Sequence, residues 1–400
     1  MSSCHLCGEE KLLALLDFGE HPIAHRFVTD LSVQEYVHPV RLCFCENCGL
    51  IQLDDPIPPE KLYTTYSWLS AWKPQLHIPR LVSLISQLPG ISAESKFLEA
   101  GCNDGTFLKA LEESGYHNAI GIEPARDAVE AARREGLEVI NDYFGLRAAR
   151  NLVESFGEFD VLVTRQVLEH VIALKGFREG IRATLKIGGH ALIEVPNFEF
   201  SLRTMDYSAI WEEHVNHFTL YTLSRFLADG GFRVVHTETA PFCGEALIVI
   251  AQYLGTPVSL SSFEVEQARA KAFAYRDHWS RYQRGLINYL REYRATGRKV
   301  AVYGAGCRAC CLINYAGLAP YVDIVFDDQS EKQGKYMPGS HLCIYPGELL
   351  EQNSVDLCLL AVNAENEERV VSKHQTYLAK GGRFASVLPP SNRLLDIELP

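Results

Sequence analysis

The feature that most constrains the fold of this chain is an alternation of strand and helix patterns between about residues 76 and 255. Three short apolar runs have the length and composition of buried strands: Phe97–Ala100, Ala119–Ile122 and Val161–Thr164. Helical patterns follow the first two runs, as over Ala125–Glu135. Two later runs have the pattern of an antiparallel pair that closes the sheet: Phe232–Thr237 and Glu245–Ala251. The sequence therefore predicts an α/β fold with a doubly wound sheet.

Cysteines near the N-terminus indicate a metal site, because they form two Cys-x2-Cys pairs: Cys4 with Cys7 and Cys45 with Cys48. Four thiolates around Zn²⁺ at about 2.3 Å make a closed tetrahedral structural site. Gly8 and Gly49 directly follow the second cysteine of each pair and suit the turn that points both sulfurs inward. His5 and Cys43 are competing ligands. The sequence thus predicts a structural zinc bound by the two pairs.

Composition narrows the classes of partner. The net charge is −12, whereas a nucleic acid or an anionic membrane needs a basic surface. We find no apolar run near the roughly 20 residues of a membrane span, and MSSCHLCGEE has neither the basic nor the apolar part of a secretion signal. Twelve cysteines in such a chain favour metal binding over disulfides. We expect a cytoplasmic protein that binds neither nucleic acid nor membrane.

A glycine-rich turn follows the first predicted strand, in the sequence FLEAGCNDGTFL. The next strand ends in Glu123, about twenty residues further on, where a carboxylate can bind both hydroxyls of a ribose. Glu99 and Asp104 place negative charge where a dinucleotide has phosphates, but a cationic sulfonium tolerates them. The turn therefore predicts S-adenosylmethionine in preference to NAD. Three residues after the third strand are candidates to flank the adenine: Asn141, Asp142 and Tyr143.

Five motifs, in this order, resemble those of the sugar C-methyltransferase family of deoxysugar pathways: CHLCG with CENCGLIQL, EAGCNDGTFL, RQVLEHV, WEEHVNHF and YGAGCRACCLINYAG. The resemblance covers essentially the whole chain. It implies a zinc-binding domain, a class I methyltransferase domain with a doubly wound sheet, and a Rossmann-like domain. We expect these at residues 1–75, 76–255 and 299–400, with a helical linker at 256–298. The family's zinc ligands correspond to the two cysteine pairs, and its cofactor loop corresponds to Glu99, Gly101, Asn103 and Gly105.

The resemblance also implies a reaction, because this family methylates the carbon beside the ketone of nucleotide-linked keto-deoxysugars. Removing a proton α to a carbonyl gives an enolate, and imidazole is a base that titrates near neutral pH. The family's Glu-His pair corresponds to Glu213 and His214, with His214 as the base and Glu213 holding its ring or binding the sugar. A second pocket histidine corresponds to His170. A pocket tyrosine corresponds to Tyr66, with Tyr63 as the alternative.

Two departures from the family's pattern leave alternatives open. Trp211 and His217 stand where the family has tyrosines, so a phenol that could donate to an enolate is missing. An O- or N-methyltransferase acting on a related nucleotide-sugar or polysaccharide precursor is therefore the alternative function. A metal ion bound by His214 and His217 is a further possibility, and a non-catalytic cofactor-binding module is a third.

The C-terminal unit has a second glycine turn, VYGAGCR, and a later strand that ends in Asp327 and Asp328. The family implies that this unit helps to hold the nucleotide end of the substrate, and a purely structural unit is the alternative. We expect a monomer or a small homo-oligomer.

Overall fold

The computed structural model describes residues 3–62, 75–242, 244–259, 264–352 and 354–399. Its strands form three sheets of four, seven and five strands. The four-stranded sheet is antiparallel, in the order β1-β2-β3-β9. Its strands are β1 (Leu12–Pro22), β2 (Val37–Cys45), β3 (Ile51–Leu53) and β9 (Asn216–His217). The fourth strand therefore comes from the middle of the chain, where Ile51 pairs with His217.

The seven-stranded sheet carries the predicted methyltransferase motifs. Its order is β10-β11-β8-β7-β4-β5-β6, in which β4 to β8 run parallel and β10 and β11 are antiparallel. The strands are β4 (Phe97–Ala100), β5 (Ala119–Ile122), β6 (Val139–Ile140), β7 (Phe159–Arg165), β8 (Leu185–Pro196), β10 (Phe232–Ala240) and β11 (Ala246–Tyr253). The predicted parallel strands and closing antiparallel pair are confirmed. The order reverses direction at β4, so ligands are expected beyond its carboxyl end.

Amphipathic helices connect and cover this sheet. They are α2 (Ile78–Ser86), α3 (Thr106–Glu113), α4 (Arg126–Arg134), α5 (Leu146–Phe156), α6 (Leu174–Thr184), α7 (Phe198–Thr204) and α8 (Leu220–Asp229). A short helix, α1 (Pro59–Leu62), precedes them. The central strands are buried on both faces, as β4 shows with four buried residues, and this explains their continuous apolar sequences.

A 32-residue helix, α9 (Glu264–Ala295), leads to the five-stranded sheet. That sheet is parallel, in the order β14-β13-β12-β15-β16. Its strands are β12 (Val300–Tyr303), β13 (Ile324–Asp327), β14 (Ile344–Pro346), β15 (Leu357–Leu360) and β16 (Arg383–Ser386), and its helices are α10 (Cys307–Ala316), α11 (Ala364–Lys373) and α12 (Gln375–Ala379). The expected second, smaller α/β unit is therefore present.

The N-terminal sheet contributes side chains to the cores of both α/β units. Leu42 and Phe44 belong to the core that includes α9 and α10. Cys45 and Leu50 belong to the core of the methyltransferase sheet. Neighbouring residues of one strand point to opposite faces, so β2 can contribute to both cores at once. No helix within the described residues is long and apolar enough to cross a membrane.

Candidate functional site

The four predicted zinc ligands lie together at the junction of the N-terminal sheet and the methyltransferase core. The sulfurs of Cys4 and Cys48 are 3.4 Å apart, and those of Cys7 and Cys45 are 3.5 Å apart. All four sulfurs lie within 4.8 Å of one another. These separations are far longer than a disulfide bond, and they approach the edge of about 3.8 Å expected for sulfurs 2.3 Å from one tetrahedral ion. The donor set therefore fits a structural zinc.

The turns behind these cysteines have the predicted form. Gly8 and Gly49 have φ angles of 78° and 76°, which side chains rarely adopt, and each donates its N–H to the first cysteine of its pair. The competing ligands are engaged elsewhere: His5 Nδ1 lies 2.8 Å from Asn216 Oδ1, and the Cys43 thiol donates to Gln52 O. The ligand set is Cys4, Cys7, Cys45 and Cys48.

The glycine turn after β4 faces the acid at the end of β5. Glu123 is 5 % exposed, and its two oxygens accept the backbone N–H groups of Asn103 and Ala125 at 3.0 and 2.9 Å. Burial raises its pKa. Gly101 and Gly105 bracket this turn between β4 and α3. A carboxylate fixed in this way, beside an acidic turn, fits the ribose of S-adenosylmethionine.

The remaining predicted cofactor residues differ in how they are held. Asp104 accepts hydrogen bonds from Thr106 N and Thr106 Oγ1, so it caps α3. The side chain of Asn141 donates to the carbonyls of Glu123 and Pro124, and thereby fixes the backbone at Glu123. Tyr143 is 68 % exposed after β6, where a ring could cover an adenine. Whether these three contact the cofactor stays a prediction.

Glu99 is 1 % exposed and takes part in a buried network that sequence reasoning missed. Its Oε1 accepts from Arg165 Nε at 3.1 Å, and Arg165 also donates to Gln75. Glu194, at the end of β8, is fully buried and accepts from the side chain of Gln166, with His77 Nε2 3.1 Å away. Burial raises the pKa of Glu99 to about 7 in spite of Arg165. The sequence signal for this network was a charged residue in an otherwise apolar strand, such as Glu99 in β4.

The segment IWEEHVNHF is held by the N-terminal domain, which the sequence did not reveal. Glu212 is buried and accepts the backbone N–H of Ala24 at 2.7 Å. Glu213 Oε1 lies 2.8 Å from Nδ1 of His25. Both partners come from the stretch HPIAHRF, in which the second histidine was the available signal. The first strand-forming residue after His214 and Val215 is Asn216 of β9, so the motif runs directly into the N-terminal sheet.

His170 and His214 are brought together, as the resemblance implied. Their ring centroids are 5.0 Å apart at an interplanar angle of 79°, and the Trp211 ring also contacts His214, at 4.7 Å and 88°. His170 Nδ1 donates to the backbone carbonyl of Glu213 at 2.8 Å. Partial burial lowers the pKa of His170, which favours its neutral ring. Two imidazoles and one indole thus form a single cluster at the end of β7.

The structure treats the remaining three candidate residues differently. Tyr66 and Tyr63 lie outside the described residues. His217 is 4 % exposed, its ring packs against Phe198 at 4.4 Å, and burial lowers its pKa to about 3. Among the described residues His214 groups with Glu169 and His170, and not with His217, in the arrangement that could hold an ion. His217 is therefore a buried packing residue of β9.

A small pocket opens beside His214 at the carboxyl edge of the seven-stranded sheet. Its polar groups come from Asn197, Ser201 and Glu245. Asn197 is fixed by two contacts with Glu245, through backbone N to O at 2.8 Å and through Nδ2 to Oε1 at 2.7 Å. The buried Oδ1 of Asn197 makes no hydrogen bond within the described part of the chain, so it remains able to accept one. The cavity volume is about 30 Å³, which is about the volume of one water molecule.

Three protein families match the chain in consecutive segments. They are described as “Putative zinc binding domain” at residues 4–63, “Methyltransferase domain” at 75–237 and “C-methyltransferase C-terminal domain” at 264–389. Their order is the order that the resemblance implies, so the resemblance is confirmed.

Individual relatives agree with these matches. The C-methyltransferase NovU of Streptomyces niveus is 27 % identical over 97 % of this chain and 96 % of its own length. The 2-ketoarginine methyltransferase of Streptomyces arginensis is 33 % identical, but over only 30 % of this chain and 36 % of its own. A crystal structure of a methyltransferase dependent on S-adenosylmethionine from Anabaena variabilis is 16 % identical, with a TM-score of 0.37 over 46 % of this chain and 86 % of its own.

Proposed function

We propose that this S-adenosylmethionine-dependent C-methyltransferase methylates the carbon beside the ketone of a nucleotide-linked deoxysugar, with His214 as the general base. One observation carries the proposal: the ring of His214 contacts His170 and Trp211 and lines a pocket at the sheet edge that also carries Glu123. When bound, S-adenosylmethionine supplies an electrophilic methyl group. The residues Glu123, Asn103 and the turn from Gly101 to Gly105 are those we expect to hold it.

The base must lie where it can reach a carbon acid and must keep one orientation. Trp211 and His170 both contact the His214 ring, and these contacts restrict its rotation. The carboxylate of Glu213 is in turn anchored to His25. His214 takes the proton α to the ketone, the electron pair of that C–H bond passes into the enolate, and the proton stays on the imidazole.

The side chains around this pocket suit a sugar acceptor, and we propose that the cavity of about 30 Å³ widens when the sugar binds. Asn197, Ser201 and Glu245 offer an amide, a hydroxyl and a carboxylate, which together can both donate to and accept from sugar hydroxyls. Phe198 and Phe200 line the same pocket and supply apolar surface for a sugar ring. A nucleotide attached to the sugar would extend beyond this pocket, toward the C-terminal unit.

Hydrogen exchange at carbon tests the base directly. The enzyme is mixed in D₂O with nucleoside-diphosphate-linked keto-deoxysugars and S-adenosylhomocysteine, so that no methyl group can be transferred. We expect NMR to show deuterium entering the carbon beside the ketone, and His214→Gln to slow exchange and turnover by about 10²–10⁴-fold while the cofactor affinity is unchanged. The exposed His117→Gln is the matched control. Methylation without exchange contradicts the enolate mechanism, and an O-methyl or N-methyl product favours the alternative acceptor.

A further inference from the structure

Glu169 is a buried carboxyl group that the proposed reaction leaves without a role. It lies in the short 3-10 helix Leu168–His170, directly beyond β7, and is 2 % exposed. Neither of its oxygens makes a hydrogen bond within the described part of the chain. Its Oε1 is 3.9 Å from Nε2 of His170, and one of its oxygens lies within 4.8 Å of a ring nitrogen of His214. A buried polar group without a hydrogen bond is costly, so its charge and its partner need an explanation.

The tautomer of His170 decides which form of Glu169 can bond to it. His170 Nδ1 faces the carbonyl oxygen of Glu213 at 2.8 Å and must donate to it, because a carbonyl only accepts. In the neutral ring Nε2 is then an acceptor. A carboxylate and an acceptor nitrogen repel each other, whereas a protonated carboxyl can donate to that nitrogen after a small rotation. Catalytic hydrogen bonds of this kind are often long before substrate binds and shorten in the complex.

The surroundings favour the protonated form. Burial raises the pKa of Glu169 to about 8, and the nearby carboxylate of Glu194 adds to the shift. The titratable groups that face it are His170, His214 and Glu194, with Glu213 behind His170. Burial also lowers the pKa of His170, so both members of the pair are neutral near pH 7.

We propose that Glu169 is a positioning residue that works as a neutral carboxylic acid, donating its proton to Nε2 of His170 and so holding the ring that packs against His214. This inference rests on the proposed function and deepens it. When Glu169 is protonated, it also places no second negative charge near His214 in addition to that of Glu213. Such a charge would stabilise the imidazolium, so that a smaller fraction of His214 would be present as the neutral base near pH 7.

The variants Glu169→Gln and Glu169→Ala test whether position 169 must carry a negative charge or a neutral hydrogen-bond donor. Glutamine keeps a donor but cannot ionise, so we expect Glu169→Gln to retain kcat within about threefold, and Glu169→Ala to lose about tenfold or more. The wild-type kcat should fall above about pH 8, as the carboxyl loses the proton that it donates, and this alkaline fall should be absent from Glu169→Gln. KM for S-adenosylmethionine should not change. Glu158→Gln, at the exposed position directly before β7, is the control.

A measurement that needs no turnover separates this inference from the proposed function. In ¹⁵N-histidine-labelled enzyme at pH 7 we expect His170 as the Nδ1–H tautomer, with an Nε2 shift that moves in Glu169→Ala and returns toward the wild-type value in Glu169→Gln. Equal inactivity of the two variants overturns the inference, because it shows that the carboxylate is needed. Equilibrium dialysis with MnCl₂ in which one Mn²⁺ binds wild type and none binds Glu169→Gln overturns it too, since Glu169 would then be a ligand together with His170 and His214. If Glu169→Ala does not fold, wild type and Glu169→Gln alone decide.

Discussion

The two α/β units of this protein share a strand, glycine turn and helix at their start, but the residues around this turn make different contacts in each unit. In each unit a strand leads into a glycine turn and a helix, and the next strand ends in an acid. In the methyltransferase unit that acid is Glu123, whose oxygens accept the backbone N–H groups of Asn103 and Ala125. In the C-terminal unit it is Asp327, which accepts from Ala305 N at 2.7 Å and also faces Lys332 Nζ at 3.4 Å.

The helix that follows each turn shows the same contrast. At the start of α10, Arg308 reaches out of its own unit and donates to Asp206 and Ser208 of the methyltransferase unit, at 2.6 and 3.0 Å. Its remaining N–H groups donate to Asn363 and to the carbonyl of Pro389. The C-terminal turn is thus used as an interface between units. A glycine turn followed by an acid at the end of the next strand therefore indicates a βα unit. Whether that acid can bind a ligand depends on whether a neighbouring cation, such as Lys332 beside Asp327, already pairs with it.

The largest effect should come from removing the zinc, because its cysteines belong to the core of the methyltransferase unit and not to that of the C-terminal unit. Structural zinc contributes roughly 10–16 kcal/mol to folding in isolated zinc-finger peptides. We expect Cys45→Ser to lose the metal and much of that stabilisation, while the half-buried Cys343→Ser keeps both. Metal analysis and hydrogen exchange by mass spectrometry check this. In Cys45→Ser, relative to wild type, exchange should increase more in β9 and α8 than in β12 and β13. Undenatured wild-type protein without zinc would refute it.

The next effect concerns the interface. Arg308→Ala leaves Asp206, which is 3 % exposed, as a buried charge without its cation, and breaking such a pair costs about 3–5 kcal/mol. Arg126→Ala breaks an exposed pair with Glu130 and should not measurably change stability. Urea denaturation of both variants checks the difference. Equal stability of the two would mean that the C-terminal turn is not an interface.

Cofactor binding tests the two acids themselves. We expect Glu123→Ala to weaken S-adenosylmethionine binding by about 1.5–3 kcal/mol, the cost of a lost charge-assisted hydrogen bond, which is roughly 10–150-fold in Kd. Asp327→Ala should leave that Kd unchanged. Titration calorimetry on the folded variants measures both. A wild-type Kd for Glu123→Ala would show that the ribose lies elsewhere, and an equal loss in Asp327→Ala would erase the contrast between the units.

The smallest effect is conformational. Gly105 has a φ angle of 80°, and an added Cβ would come within 2.3 Å of the end of the Leu137 side chain, so Gly105→Ala should cost about 1–2 kcal/mol. Gly306 has a φ angle of −84° with open space around it, and Gly306→Ala should change stability by less than about 0.5 kcal/mol. Thermal unfolding of the two variants provides the comparison. A larger loss for Gly306→Ala would show that the C-terminal turn is the more constrained.

The features that the sequence predicted well are formed by residues close together in the chain. The strands from β4 to β8, the turn of Gly101 to Gly105 and the two cysteine knuckles each depend on residues a few positions apart. What it missed were pairs formed across the fold, such as Glu99 with Arg165, 66 residues apart, and Ala24 with Glu212, 188 apart. Periodicity carries no information about such partners. The resemblance supplied Glu213 and His214, but not the N-terminal residues that hold them.

The pairing of β3 with β9 has a consequence for how the protein is made. Ile51 and His217 are neighbours in the sheet but 166 positions apart in the chain, since 217 − 51 = 166. At about 5–20 residues per second, a ribosome needs roughly 10–30 s to synthesise that interval. During this time the nascent N-terminal sheet presents β3 as an open edge, which is a template for pairing with another chain. The segment that contains His214 therefore also covers the exposed edge of β3, and this protection against pairing with another chain begins at the earliest when residue 217 has been translated.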